Sequence, residues 1–286
     1  MSSITAETRL IAVIGSPVEH SLSPALHNAA FEASGRNWRC VAFEVTSGGA
    51  GPALSAMETL GIVGYAVTMP HKADMAAAVD VLDPAASALG SVNTVVRSED
   101  GSTLGASTDG VGLIDALVAA DADPHGRRVA VVGAGGAGRS IIDALGRHGA
   151  AEIAVINRTA DAGDRAARLA PQASTASVEA IASAEIVINA TSVGMGSEVE
   201  DLAAVPFDPR LVGRGQVVVD IVYHPIVTPL LSQAADQGAR TIDGLEMLVY
   251  QAIRQHEIWT GDRIDPDVMR RAALAELATR QDRSGR

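Results

Sequence analysis

The 286-residue chain reads as an α/β protein built on parallel sheets with helices on both faces. Three observations lead there. Short β-branched runs alternate with longer, alanine-rich segments whose apolar residues recur at spacings of three and four, the signature of strand–helix–strand units. The strand runs are almost wholly apolar, as strands covered by helices on both faces must be. One of them runs directly into a glycine-rich loop that opens a helix, the local order of a nucleotide-binding turn.

In chain order, strands are expected at 10–14, 40–45 and 64–67, with helices at 24–33, 73–81 and 111–120. Pro24 suits the first position of its helix, where a missing N–H costs nothing. Further strands are expected at 129–132, 153–157, 186–189 and 217–222, with helices at 137–148 and 160–169. The polar stretches SEDGST (98–103) and DADPHGR (121–127) divide this succession, and the segment between them reads as a connecting helix. Beyond Gly244 the pattern is continuous helix, interrupted around 260–267.

Composition narrows the function. A formal net charge of −12 opposes binding to nucleic acid or to an anionic membrane, both of which need a basic face. Aromatic residues make up only 3% of the chain, so Ala, Val, Ile and Leu must fill its core. Cys40 is the only cysteine, which excludes an internal disulfide, and without CxxC or HExxH spacing no metal is expected. The start of the chain lacks a basic segment followed by a long apolar one, and no run reaches bilayer length. A cytoplasmic protein, monomeric or homodimeric, is expected.

Among 22 basic residues only Lys72 is a lysine; every other is arginine. An ε-amine can exchange its proton near neutral pH, whereas a guanidinium stays charged. Lys72 is therefore a candidate for proton transfer rather than generic surface charge.

The loop Gly133, Ala134, Gly135, Gly136, Ala137, Gly138 sits between an apolar strand and a helix closed by Gly149. Strand, GxGxxG loop, helix and second strand follow in the order a dinucleotide site requires, with phosphates on the amides of the helix start. The second strand ends in Asn157, Arg158 and Thr159. A neutral Asn157 where NAD sites usually carry an acid, followed by a cation able to pair with a 2′-phosphate, tilts the cofactor to NADP. The other role open to Arg158 is a solvated charge at a strand end. Ser21 and Ser23 lie on a turn before a Pro-started helix, suited to an anionic group such as a carboxylate. A purely structural alternative makes Ser23 the helix cap and leaves Ser21 without a role.

These segments resemble the shikimate dehydrogenase family (shikimate/quinate 5-dehydrogenases) over nearly the whole chain. GSPVEHSLSPALHNAAF (15–31) is similar to its carboxylate-binding opening and YAVTMPHK (65–72) to its catalytic-lysine segment. SVNTV (91–95), STDG (107–110), GAGGAG, INRT, INATSVGM (188–195), VYHPIVTPLL (222–231) and GLEMLVYQA (244–252) follow in the family's order. The resemblance implies an N-terminal α/β substrate domain (1–109) completed by C-terminal helices (244–286), with a Rossmann NADP-binding domain (110–243) between and the site in the interdomain cleft. It implies reversible reduction of 3-dehydroshikimate, a small carboxylate substrate, to shikimate with NADPH. Lys72 and Asp109 would form the catalytic pair. Ser21, Ser23, Thr68, Asn93 and Gln251 would line the substrate, with Tyr223 nearby. Besides the glycine loop and the 157–159 strand end, Thr191, Ile221, Gly244 and Met247 would contact the cofactor.

Three positions depart from the family pattern: Ala66 and Ser107 replace asparagines, and Glu246 replaces glycine. Loss of an amide at Ala66 keeps quinate or dual specificity open, since sites discriminate through paired polar groups. A nucleotide-binding sensor without catalysis is the alternative from another class. His20, His71 and His224 are read as structural, Trp38 and Trp259 as core or interface anchors, and Cys40 as buried.

Overall fold

The computed structural model describes residues 4–201 and 203–284. The chain divides into two compact units, 1–108 with 249–286, and 109–248. The sequence reading places these joints at 109/110 and 243/244.

In the first unit β1 (Arg9–Gly15), β2 (Trp38–Glu44) and β3 (Gly64–Val67) run parallel, connected through α1 (Ser23–Ala33) and α2 (Ala50–Leu60). Then come α3 (Lys72–Ala78), β4 (Val81–Leu82), α4 (Pro84–Leu89), β5 (Thr94–Arg97) and β6 (Thr103–Ala106). The strand order is β2–β1–β3–β5–β6–β4. Alternate residues of β1 feed two layers. Ala12 and Ile14 pack with Met57, Met75 and Tyr65, while Ile11 and Val13 pack with Phe31, Trp38 and Trp259.

This sheet corrects the expectation of purely parallel strands, because β5 is antiparallel to both β3 and β6. The polar stretch SEDGST is the turn of the β5–β6 hairpin, inside the sheet: Ser98 N–H donates to Ser102 O at 2.8 Å, and Asp100 accepts from the Ser102 hydroxyl at 2.7 Å. Both strands are four residues long and start on threonine, TVVR and TLGA, and so lack the apolar run by which the equally short β3 and the later strand at 186–189 can be read. Helix α2 is likewise absent from the sequence reading, and only Ala50 and Met57 of it are buried.

The second unit is an all-parallel sheet. Its strands are β7 (Arg128–Val132), β8 (Glu152–Ile156), β9 (Ala173–Thr175), β10 (Ile186–Asn189), β11 (Val217–Asp220) and β12 (Arg240–Ile242). They lie in the order β12–β11–β10–β7–β8–β9. Helix α5 (Asp109–Ala119) leads into β7, and α6 (Gly136–His148), α7 (Ala160–Ala167) and α8 (Pro229–Asp236) lie in the later connections. Val129 and Val131 pack with Leu113, Leu117, Ile141 and Leu145, whereas Ala130 and Val132 pack with Val218 and Leu230. Strand order reverses between β7 and β10, which makes their C-terminal ends the doubly wound switch point where ligands bind.

Helix α9 (Gly244–Thr260) begins in the second unit and ends in the first, where α10 (Pro266–Ser284) packs along α1. Trp259 of α9 donates its indole N–H to Val95 O at 2.9 Å.

Candidate active site

At the switch point the loop after β7 turns on Gly133, whose φ of +107° is open to glycine at little cost. A Cβ on Gly138 would lie 2.0 Å from Gly133 O, so α6 can approach the strand only without a side chain there. Gly135 and Gly136, in contrast, face open space, and no side chain caps the start of α6. Free amides, a positive helix end and room for a phosphate therefore coincide, as a bound dinucleotide requires. Ala134 and Ala137 complete the turn. Asn157 serves the loop itself: its Oδ1 accepts from Ala134 N at 3.0 Å while its amide donates to Thr159 O at 2.8 Å. Arg158 and Thr159 are exposed, and the Arg158 guanidinium carries no partner among the described residues.

One strand over, Thr191 donates its hydroxyl to Asn189 Oδ1 at 2.7 Å. Asn189 in turn donates to Asp220 Oδ1 at 2.8 Å, and the Thr228 hydroxyl to Asp220 Oδ2 at 2.7 Å. Burial pushes the Asp220 carboxyl up from its ordinary range, against donors that hold it down. This network supports the chain at Ile221 and Tyr223, both half-buried. Asn189, Asp220 and Thr228 escaped the sequence reading. The visible signal was a polar residue closing each apolar run, IVIN and VVVD. Gly244 and Met247, at the start of α9, are buried.

In the first unit the ends of β1 and β3 gather a second set. Thr68 N–H donates to Ile14 O at 2.9 Å, and Val67 N–H to Asn93 O at 2.7 Å. Lys72 opens α3, half-buried, and its carbonyl accepts from Val92 N at 2.9 Å. Thr68, Lys72 and Asn93 are thus brought to one edge of the sheet. The Asn93 side chain is clamped: its Oδ1 accepts from Thr108 N at 2.9 Å and from the Thr94 hydroxyl at 2.8 Å. Thr108 immediately precedes Asp109, the half-buried first residue of α5 in the other unit. His71 is structural, its Nε2 bonded to Val45 O at 2.6 Å.

The serine turn overturns the capping alternative. Leu22 occupies the cap of α1, and Ser21 Oγ accepts from Ser23 N at 3.2 Å, so Ser21 holds the turn. The half-buried Ser23 hydroxyl is left without a partner among the described residues. Arg280 of α10 secures this turn by donating to His20 O at 2.7 Å and Ser21 O at 3.0 Å. Gln251 is buried on α9.

The departing positions resolve differently. Ala66 is buried in the apolar layer with Val13, Phe31 and Trp259. Ser107 is buried, its N–H 3.4 Å from Asp83 Oδ2. Glu246 is half-buried in the first turn of α9, where a negative charge complements the helix dipole. Among the described residues no group of three His, Cys, Asp or Glu could hold a metal, and no helix is long and apolar enough to cross a membrane. Cys40 is buried, and burial pushes its thiol pKa up.

Three family models match the chain. They describe a shikimate dehydrogenase substrate binding domain (13–95), a shikimate/quinate 5-dehydrogenase (116–248) and a shikimate 5′-dehydrogenase C-terminal domain (244–274). An NADP(+) shikimate dehydrogenase of Thermococcus kodakarensis is 44% identical over 277 residues, covering 96% of this chain and 98% of its own. A shikimate dehydrogenase solved in complex with NADP+ superposes with a TM-score of 0.89 at 33% identity, covering 96% of this chain and 98% of its own. The ligand-free 5-ketofructose reductase of a Gluconobacter strain reaches 0.88 at 30% identity, covering 95% and 99%. On this full-length agreement of sequence and fold, the chain belongs to the shikimate dehydrogenase family.

Proposed function

We propose that this protein reversibly reduces 3-dehydroshikimate to shikimate with NADPH. The observation that carries the reading is the chain's single lysine at the start of α3, on the sheet edge that bears Thr68 and Asn93. NADPH, when bound, supplies the hydride for the ring carbonyl. Within the loop Gly133 to Gly138 the amides from Gly135 onward would hold its pyrophosphate, and Arg158 would pair with the 2′-phosphate. Gly244 and Met247 would approach its nicotinamide end, and Thr191 and Ile221 would also contact it.

Reduction leaves negative charge on the carbonyl oxygen, and an ammonium beside that oxygen stabilises the charge and delivers the proton. Lys72 takes that role, oriented by the Asp109 carboxylate; in the oxidising direction it takes the proton back. Ser21, Ser23, Thr68, Asn93, Tyr223 and Gln251 hold the acid and its hydroxyls. The cytoplasm is the proposed location, and the protein works as a monomer or homodimer.

Burial of Ala66 among apolar side chains favours a second reading, quinate or dual specificity, because no amide is offered there. Initial rates with shikimate and quinate, each with NADP+ and NAD+, separate the two. Fastest turnover with shikimate and NADP+ supports the first reading; faster turnover with quinate supports the second. No turnover with any pair overturns both.

A further inference from the structure

One pair of buried polar side chains in the first unit, bonded to each other, remains outside this mechanism. His27 of α1 and Gln255 of α9 are 0% and 2% exposed. His27 Nε2 lies 3.1 Å from Gln255 Oε1, and Gln255 Nε2 donates to Asn93 O at 3.1 Å. A carbonyl oxygen can only accept, so the second contact fixes which end of the Gln255 amide is nitrogen. Its oxygen must then accept from His27, and His27 must carry its proton on Nε2. The bare Nδ1 is left buried without a partner. Burial keeps this imidazole neutral, with its pKa pushed down to about 3. The chain of donors therefore has one direction, from His27 through Gln255 to the main chain of Asn93.

The same side chains stand one helical turn from proposed substrate contacts. Ser23 precedes His27 on α1, and Gln251 precedes Gln255 on α9, each pair on one helix face. We infer that Gln255 is a positioning residue for substrate, locking the helix of Ser23 and the helix of Gln251 to the strand entry that presents Asn93. This rests on the substrate assignments proposed above. Gln255 touches no reacting atom; it sets the spacing of three groups proposed to hold the substrate.

The test is Gln255→Met, which keeps the side chain's length but removes donor and acceptor, beside Gln255→Glu, which keeps an acceptor for His27 but cannot donate to Asn93 while ionised. Steady-state rates with shikimate and NADP+ should show KM for shikimate raised about tenfold in both, the loss of about one buried hydrogen bond. KM for NADP+ and kcat should stay within about threefold, a split that simple destabilisation does not produce. Should Gln255→Met fold poorly, Gln255→Glu carries the same comparison. In the native protein, ring-nitrogen NMR should show His27 protonated on Nε2; protonation on Nδ1 would overturn the relay. Asn93→Ala separates the two levels of the argument. If it raises KM for shikimate while the Gln255 variants do not, the positioning role is wrong. If none of the three changes it, the substrate assignments fail and the inference with them.

Discussion

The two units arrange their proposed ligand contacts by opposite means. In 109–248 the nucleotide loop works through missing side chains: Gly138 lets α6 approach the strand, and Gly135 and Gly136 leave open space beside bare amides. In 1–108 with 249–286 the corresponding edge works through particular side chains, placed by contacts distant in sequence: Thr108 N–H on Asn93 Oδ1, Gln255 on Asn93 O and Arg280 on the turn of Ser21. Backbone recognition needs only local spacing, whereas side-chain recognition needs an assembled fold. The first should tolerate changes elsewhere in the core; the second should not.

The contrast is broken most severely at Gly138. In Gly138→Ala the new Cβ would sit 2.0 Å from Gly133 O, forcing helix and strand apart. Overpacking of about 3 kcal/mol would weaken NADP+ binding about 10²-fold and lower Tm. Gly135→Ala is the control, since open space there leaves Tm unchanged while the methyl group crowds the phosphates. Calorimetric titration and thermal melts of the two variants check both halves of this statement. If Gly135→Ala melts as early as Gly138→Ala, the loop's glycines serve packing alone.

Arg158→Ala sharpens the comparison from the side-chain end of the same unit. Its exposed guanidinium is the one contact there that should distinguish cofactors. KM for NADPH should rise about tenfold while that for NADH stays nearly constant, the loss of one charge-assisted contact. Equal changes for the two cofactors would remove the 2′-phosphate role.

The smallest effect concerns the first unit's buried histidines. His256 packs 5.3 Å from Phe31, centroid to centroid, with both ring nitrogens buried and unpartnered. Burial, helped by the Arg36 charge, pushes its pKa down to about 4, and burial pushes His27 down to about 3. Below about pH 6.5 the unfolded chain takes up protons that the folded chain refuses, so stability falls as pH drops towards 4. Replacing the unpartnered ring in His256→Phe should raise Tm by a few degrees and flatten part of that slope. Thermal melts between neutral and acidic pH read both; an unchanged slope would mean that His256 is already solvated.

Legibility followed the same division. The nucleotide loop could be read directly because strand, glycines and helix are contiguous, and the reversal of strand order at β7 then placed it. Lys72 was visible through composition alone. The His27–Gln255 contact was not, because it joins residues 228 positions apart and neither lies in a recognisable spacing. Ser21 and Ser23 were read as a pair, yet which hydroxyl holds the turn depended on Leu22 taking the cap position. SEDGST was legible as a polar turn, but the strands it joins were not, since a polar turn looks alike inside a sheet and between successive units.

The most direct test of the account is turnover of shikimate by Lys72→Arg, measured beside its affinity for NADPH. Retained charge without proton exchange predicts kcat lower by about 10²-fold with NADPH binding unchanged. Native-like turnover would contradict the account and leave the chain's single lysine a binding charge only.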